Sequence, residues 1–466
     1  MRYVSTRGQA PVLSFSDALL AGLARDGGLY VPESWPQLTR QEMAGFAGKR
    51  FDEVAVAVLK PFIAGAIPDA VLATAAREAY ATFGHPAVTP LNQTGPNEFV
   101  LELFHGPTLA FKDVAMQLVS RLMDHVLTER DERATIVCAT SGDTGGAAAE
   151  AFRGRKRTDM VILFPKGRVS DVQRRMMTTP TESNIHPIEI DGTFDDCQAI
   201  VKALFNNHAF RDRVKLAGVN SINWGRIVAQ VTYYFVAAAA LGAPHRAVSF
   251  TVPTGNFGDI YAGYVARRMG LPIERLTVAT NVNDILRRTL ESGAYEVTSV
   301  AATSSPSMDI QVSSNFERLL FEEGGRDGAG VTAMMQGLGQ SGRFTVPEKT
   351  LTGIRAGFDA GTTDEATVAA TMRGTLAASG YLMDPHTAVA AHVARSRPHN
   401  PAVPMVVLST AHPAKFPDAV REITGVVPPL PPRLHRLMSD AERMTPLPAD
   451  PRAVEAFIAG AIGVAG

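Results

Sequence analysis

Hydrophobic and polar positions along the 466-residue chain change rhythm near residue 95. Before that point apolar residues recur at three- and four-residue steps in short segments separated by caps and prolines. That pattern predicts a mostly helical N-terminal domain over 1–95. In "SFSDALLAGLARDGG", Ser14 or Ser16 caps, a Leu/Ala stripe follows, and Gly27-Gly28 is the expected stop. From "EFVLELF" onward short β-branched runs alternate with helical stretches: "ATIVCAT", "MVILFP", "HPIEI", "AVSFTVP", "RLTVAT" and "VPMVVLS". Strands bounded by Gly, Pro and Asp and separated by helices predict α/β units with parallel sheets. "EEGGRDGAG" (322–330) reads as a surface loop, and "VVPPLPPRLHRLM" as an extended link to a short C-terminal helix.

One helical segment poses a chemical question. In "HGPTLAFKDVAMQLVSRLM", Phe111, Ala115, Leu118 and Leu122 follow helical spacing, but Val114, Met116, Val119 and Met123 make the remaining sides oily too. Lys112 sits inside that wrap. A buried ammonium is costly unless it is paired, neutralised or covalently used. A lysine that snorkels to the surface is the plain alternative.

Composition narrows the options. Apolar residues make up 45% of the chain and charged residues 20%, an ordinary globular balance, and the formal net charge is −1. Such a chain has no field to attract nucleic acid or anionic lipid, so an anionic ligand must be held by a local site. The two cysteines, Cys138 and Cys197, have neither zinc-site nor redox spacing, and no metal site is expected. The N-terminal stretch lacks an apolar secretory core, and the oiliest run, "YYFVAAAALGA" (233–243), is too short to cross a bilayer. A reducing, cytoplasmic setting is the expectation.

Open α/β sheets hold ligands beyond the carboxyl ends of their strands, and three such ends stand out. In "IVCATSGDTGGAAAEAF" a strand over 134–140 runs into Ser141, Gly142, Asp143 and Thr144, then an alanine-rich helix. The glycines admit backbone N–H groups to a ligand, and the hydroxyls suit a carboxylate. A tight turn capped by Asp143 or Thr144 explains the same residues. In "VSFTVPTGNFGDIYAGYVARRMG" a strand over 248–252 leads into Gly255, Asn256, Phe257, Gly258 and Asp259, an anion cradle most natural for phosphate. It lacks the Gly-Lys-Ser/Thr of a Walker loop and the third glycine of the dinucleotide fingerprint. In "PMVVLSTAHPAKF" a strand over 403–408 ends in Ser409-Thr410, whose hydroxyls either meet a buried heterocycle or close an ordinary turn. Jointly with Lys112, these parts fit pyridoxal phosphate, which needs an amine for a Schiff base, a phosphate cradle and a partner for its ring nitrogen.

Six stretches in order, "DGGLYVPESWP", "HGPTLAFKDVAMQ", "TSGDTGGAAAEAF", "VNSINWGRI", "VPTGNFGDIYAGY" and "LSTAHPAKFPDAV", resemble the threonine synthase family in its long bacterial and fungal branch, over roughly 1–425. The resemblance implies a fold type II α/β enzyme with two open twisted lobes behind the helical N-terminal domain. The smaller, mobile lobe is expected over 134–218, the larger cofactor-binding lobe over 96–133 and 219–425, and a C-terminal extension over 426–466. The implied reaction converts O-phospho-L-homoserine and water to L-threonine and phosphate.

By the same resemblance, Lys112 is the Schiff-base lysine and general base. Gly255, Asn256, Phe257 and Asp259 hold the cofactor phosphate, and Thr410 faces the pyridine nitrogen. Ser141, Gly142, Asp143 and Thr144 receive the substrate carboxylate near the cofactor's 3′-oxygen; many relatives carry Asn where Asp143 stands. For the departing phosphate, Arg226 and Lys415 are candidate cations, with a salt bridge or solvated side chain as the plain alternative. Asn223 either joins them or caps a helix. The alternatives to a synthase are a phospholyase giving 2-oxobutyrate, ammonia and phosphate, a dehydratase without a phosphate pocket, and a non-catalytic sensor on the same scaffold. A monomer is expected.

Overall fold

A computed structural model describes residues 1–463. Near the N-terminus, Ser14 caps the helix Phe15–Ala21 by accepting from the Asp17 N–H. The helix ends at Gly22 (φ 64°), earlier than the expected Gly27-Gly28. A Cβ on Gly22 would lie 2.9 Å from the Gly218 carbonyl, so a close approach between distant segments sets the stop. Tyr3–Ser5 and Tyr30–Pro32 form an antiparallel pair beside it. Helices Phe51–Ile63 and Asp69–Tyr80 complete this domain. It is packed firmly on the rest: Trp224, buried on the helix Trp224–Ala240, meets the rings of Tyr3, Trp35 and Phe62 with centroids 5.9, 6.2 and 5.8 Å away.

Two sheets follow. The larger has six strands in the order Phe358–Thr362, Ile273–Thr280, Val248–Pro253, Met405–Ser409, Glu98–Glu102 and Leu91–Gly95. All neighbours are parallel except the last pair. The smaller has five parallel strands in the order Thr445–Pro448, Ile185–Asp191, Thr158–Pro165, Ala134–Ala139 and Leu216–Ala217. Every strand expected from the β-branched runs is present.

The sheets redraw the expected domain limits at both ends. Leu91–Gly95 is an edge strand of the larger sheet, although it lies within 1–95. Thr445–Pro448 extends the smaller sheet, and Val454 and Ile458 of the helix Pro451–Ala461 share a core cluster with Cys197, Ile200 and Leu204. The C-terminal segment therefore belongs physically to the smaller lobe, because its apolar stripe is buried there. Glu322 is likewise no surface residue: it lies in the last turn of the helix Phe316–Glu323, is buried, and accepts from Trp35 Nε1 at 3.0 Å. Among the described residues no helix is long and apolar enough to cross a membrane.

Candidate active site

Lys112 is the first residue of the helix Lys112–Glu129, whose start has no side-chain cap. The positive end of a helix is a poor place for an ammonium, and this one is 9% exposed. Burial pulls its pKa below the ordinary lysine value; Lys415 and Arg226 add repulsion, and Asp143 opposes them. The result is an amine that gives up its proton readily, as a nucleophile or base must.

Asp143 opens the helix Asp143–Phe152 at the end of the strand Ala134–Ala139. Its Oδ2 accepts from Lys112 Nζ at 3.1 Å and from the Ser307 hydroxyl at 3.2 Å. Its Oδ1 accepts from Gln173 Nε2 at 3.0 Å and lies 2.7 Å from Lys415 Nζ. Burial pushes this carboxyl's pKa up, but the charges of Lys112 and Lys415 outweigh it and hold the group well below the usual carboxylate range. Lys415 is fully buried and also donates to the Thr108 carbonyl at 2.9 Å.

The rest of the 141–144 loop divides its duties. Thr140 Oγ1 accepts from the Gly142 and Gly145 N–H groups, both at 2.9 Å, so the tight turn is present but Thr140 closes it, and neither Asp143 nor Thr144 caps the helix. Gly142 has φ 134°, and a Cβ there would lie 2.5 Å from the Gln173 side chain. Ser141 and Thr144 are half-buried beside it.

The 255–259 loop leaves the strand Val248–Pro253 and enters the helix Gly258–Arg268. Phe257 takes a left-handed φ of 63°, held by ring packing on Phe316 and Phe358 at 5.4 and 5.8 Å. Among the described residues the N–H groups of Gly255, Asn256 and Phe257 have no protein partner. Unpartnered successive amides around a left-handed residue are what an anion nest requires. The Asn256 carbonyl accepts from the Asn315 N–H and Nδ2, both at 3.0 Å, which pins the loop. The Asp259 side chain is turned toward two tyrosines: its Oδ1 accepts from the Tyr233 and Tyr234 hydroxyls, its Oδ2 has no partner among the described residues, and burial raises its pKa to about 6.

The third strand end closes the site. The Thr410 carbonyl accepts from the Phe111 N–H at 2.9 Å, so this hydroxyl-bearing turn lies beside the start of the Lys112 helix. Thr410 is buried, and its hydroxyl has no partner among the described residues. Ser409 is engaged with the Thr387 hydroxyl at 2.8 Å.

Two candidate residues separate clearly. Asn223 is fully buried; its Nδ2 donates to the Leu19 and Gly218 carbonyls at 2.8 and 3.1 Å, and its Oδ1 accepts from the Gly225 N–H at 2.8 Å. Both amide protons are engaged, so the helix-cap alternative holds and Asn223 has no donor left for a phosphate. Arg226 is buried with Nη1 donating to the Val219 carbonyl at 3.2 Å and Nε without a partner. Burial pulls its pKa to about 10. An under-bonded guanidinium of this kind has donors in reserve for an oxyanion.

Sequence patterns missed Gln173, Ser307 and His386. Gln173 was visible only as the fourth residue of a capping box begun by Ser170. His386 Nε2 accepts from the Ser307 N–H at 3.3 Å while Nδ1 meets Asp384 at 2.7 Å, which fixes the Ser307 segment; "DPHT" reads locally as no more than a helix start. Among the described residues no cluster suits a metal ion. The amide cradle, the buried amine and the idle Thr410 hydroxyl match the three needs of pyridoxal phosphate.

Comparisons with known proteins agree. Residues 83–410 match the family described as pyridoxal-phosphate dependent enzyme, residues 2–80 the threonine synthase N terminus, and residues 387–458 the threonine synthase C-terminal region. Fold and site together define a pyridoxal-phosphate-dependent enzyme of fold type II. A threonine synthase of Pseudomonas aeruginosa is 52% identical over 459 residues, covering 98% of each chain. The crystal structure of the PLP-bound threonine synthase from Brucella melitensis superposes with a TM-score of 0.97 at 62% identity, covering 99% of each chain. The yeast threonine synthase structure gives 0.93 at 39% identity, covering 99% of each chain. The chain belongs to the threonine synthase family.

Proposed function

We infer that this protein converts O-phospho-L-homoserine and water to L-threonine and phosphate, with Lys112 as the residue that carries the cofactor. The observation that supports this most directly is the approach of Lys112, Thr410 and the 255–259 cradle to one another: Phe111 bonds Thr410, Lys112 bonds Asp143, and Ser307 touches both Asp143 and Gly255. Pyridoxal phosphate, when bound, supplies a conjugated electron sink for the charge left as a proton leaves the substrate's α-carbon.

The chain's own residues do the rest. The 255–257 amides and the start of the following helix would grip the cofactor's phosphate. Thr410 would face the ring nitrogen with a neutral hydroxyl. A neutral partner leaves that nitrogen a weaker sink than a carboxylate would, so surrounding dipoles must share the stabilisation. Lys112, displaced by the substrate's amine, would take the α-proton, and burial lowers its pKa in the direction a base needs. Ser141 and Thr144 would orient the substrate carboxylate. Arg226 and Lys415 would balance the leaving phosphate; Lys415 has one of its three donors free beyond Thr108 and Asp143.

Lobe closure would keep water out until the addition step at Cβ, with 134–218 and the C-terminal helix moving together. We place the enzyme in the cytoplasm as a monomer, a setting in keeping with two buried free thiols. The test is to incubate the holoenzyme with phosphohomoserine and quantify threonine, 2-oxobutyrate and phosphate. Threonine equal to phosphate is the expected result. 2-oxobutyrate equal to phosphate identifies a phospholyase and overturns the proposal.

A further inference from the structure

Asp143 was expected to serve the loop that takes the substrate carboxylate, yet its own carboxylate points elsewhere. It is the meeting point of four donors from four separate parts of the chain: Lys112, Gln173, Ser307 and Lys415. Three of them do not depend on Lys112. If Lys112 gives its nitrogen to another bond, Lys415 at 2.7 Å, Gln173 at 3.0 Å and Ser307 at 3.2 Å still fix the carboxylate in place and keep it ionised. That fixed negative charge stands 3.1 Å from the Lys112 nitrogen.

We propose that Asp143 is the positioning counter-ion of the Lys112 nitrogen in the cofactor-loaded enzyme, keeping that nitrogen protonated through the neutral pH range. The inference rests on the assignment of Lys112 as the cofactor's attachment point. The charged and titratable groups around that nitrogen are Asp143 and Cys138 from the smaller lobe, and Lys415, Arg226 and Asp259 from the larger. Lys415 and Arg226 favour proton loss. Cys138 is a buried thiol whose pKa is pushed up to about 12, so it is neutral. Asp259 is engaged by two tyrosine hydroxyls. Asp143 is therefore the carboxylate in direct contact that opposes the two cations. An Asn there would keep the shape and lose the charge. A C=N bond accepts electrons well only when protonated, so this charge bears directly on how readily the linkage is attacked by substrate amine.

The experiment is a pH titration of the visible absorbance of the holoenzyme, comparing wild type with Asp143→Asn. Borohydride trapping and peptide mapping establish first that the cofactor is on Lys112; trapping elsewhere defeats the functional assignment itself. With trapping at Lys112, loss of yellow colour on the alkaline side is expected about one to three pH units lower in Asp143→Asn, the size of effect an adjacent opposite charge produces. Superimposable curves, or a shift to higher pH, overturn the proposal. Ser307→Ala removes one of the donors that hold the carboxylate and keeps the test decisive if Asp143→Asn loads no cofactor. It should move the same transition in the same direction by a smaller amount, and an unmoved transition counts against the proposal.

Discussion

Ser307 joins the two halves of the site: its hydroxyl donates to Asp143 at 3.2 Å, and its carbonyl lies 2.7 Å from where a Cβ on Gly255 would stand. The smaller lobe supplies Asp143 and the larger supplies Gly255, so one residue reports on the fit between them. His386 fixes that residue through its backbone N–H.

Gly255→Ala should weaken cofactor binding more than it weakens the fold. Its methyl group would meet backbone and not a yielding side chain, a strain of about 1–3 kcal/mol that the loop relieves by moving. Dialysis against buffer should strip cofactor from the variant faster than from the wild type, with the urea midpoint only modestly lower.

Lys112→Ala should abolish the reducible linkage and lower turnover by at least about 100-fold, the lower bound for a lost general base. Removing the amine leaves Asp143 with three donors, so the variant should still fold. Absorbance after borohydride treatment and steady-state assay check both parts.

Arg226→Gln and Asn223→Ala should part company. The arginine variant should raise the KM for phosphohomoserine about tenfold or more, the loss of a charge-assisted hydrogen bond, while cofactor content stays normal. The asparagine variant should lose about 1–2 kcal/mol of stability from the missing cap, with KM near the wild-type value. Kinetics alongside urea unfolding separates them.

Asp259 makes stability depend on mild acid. Its carboxyl is raised from 3.8 to about 6 by burial, so its contribution is fully present below the unfolded value and lost as pH rises through the folded one. Stability should therefore fall between pH 3.8 and about 6 by an amount on the order of 3 kcal/mol. Asp259→Asn should flatten that decline. Asp143 has the opposite sign: its depressed pKa contributes stability above the unfolded value, lost only in strong acid. Urea unfolding across this range in wild type and both Asn variants gives the comparison.

Much of this was legible locally. Strand runs, the glycine loops after two of them, the hydroxyl pair after a third and the oily wrap around Lys112 follow from periodicity and turn chemistry, which depend on neighbours a few residues away. The edge strands Leu91–Gly95 and Thr445–Pro448 were not legible, because an edge needs little β-propensity once a partner strand offers its unpaired groups.

The amino-acid sequence by itself determined the α/β class, the strand ends that carry the glycine and hydroxyl loops, and the oily helix in which Lys112 sits. Only the tertiary structure decided that Asp143 is the partner of Lys112, that Gln173, Ser307 and Lys415 hold it there, and that Asn223 is a cap. Residues hundreds of positions apart meet through packing of whole elements, and no short-range pattern encodes which polar side chains that packing brings together.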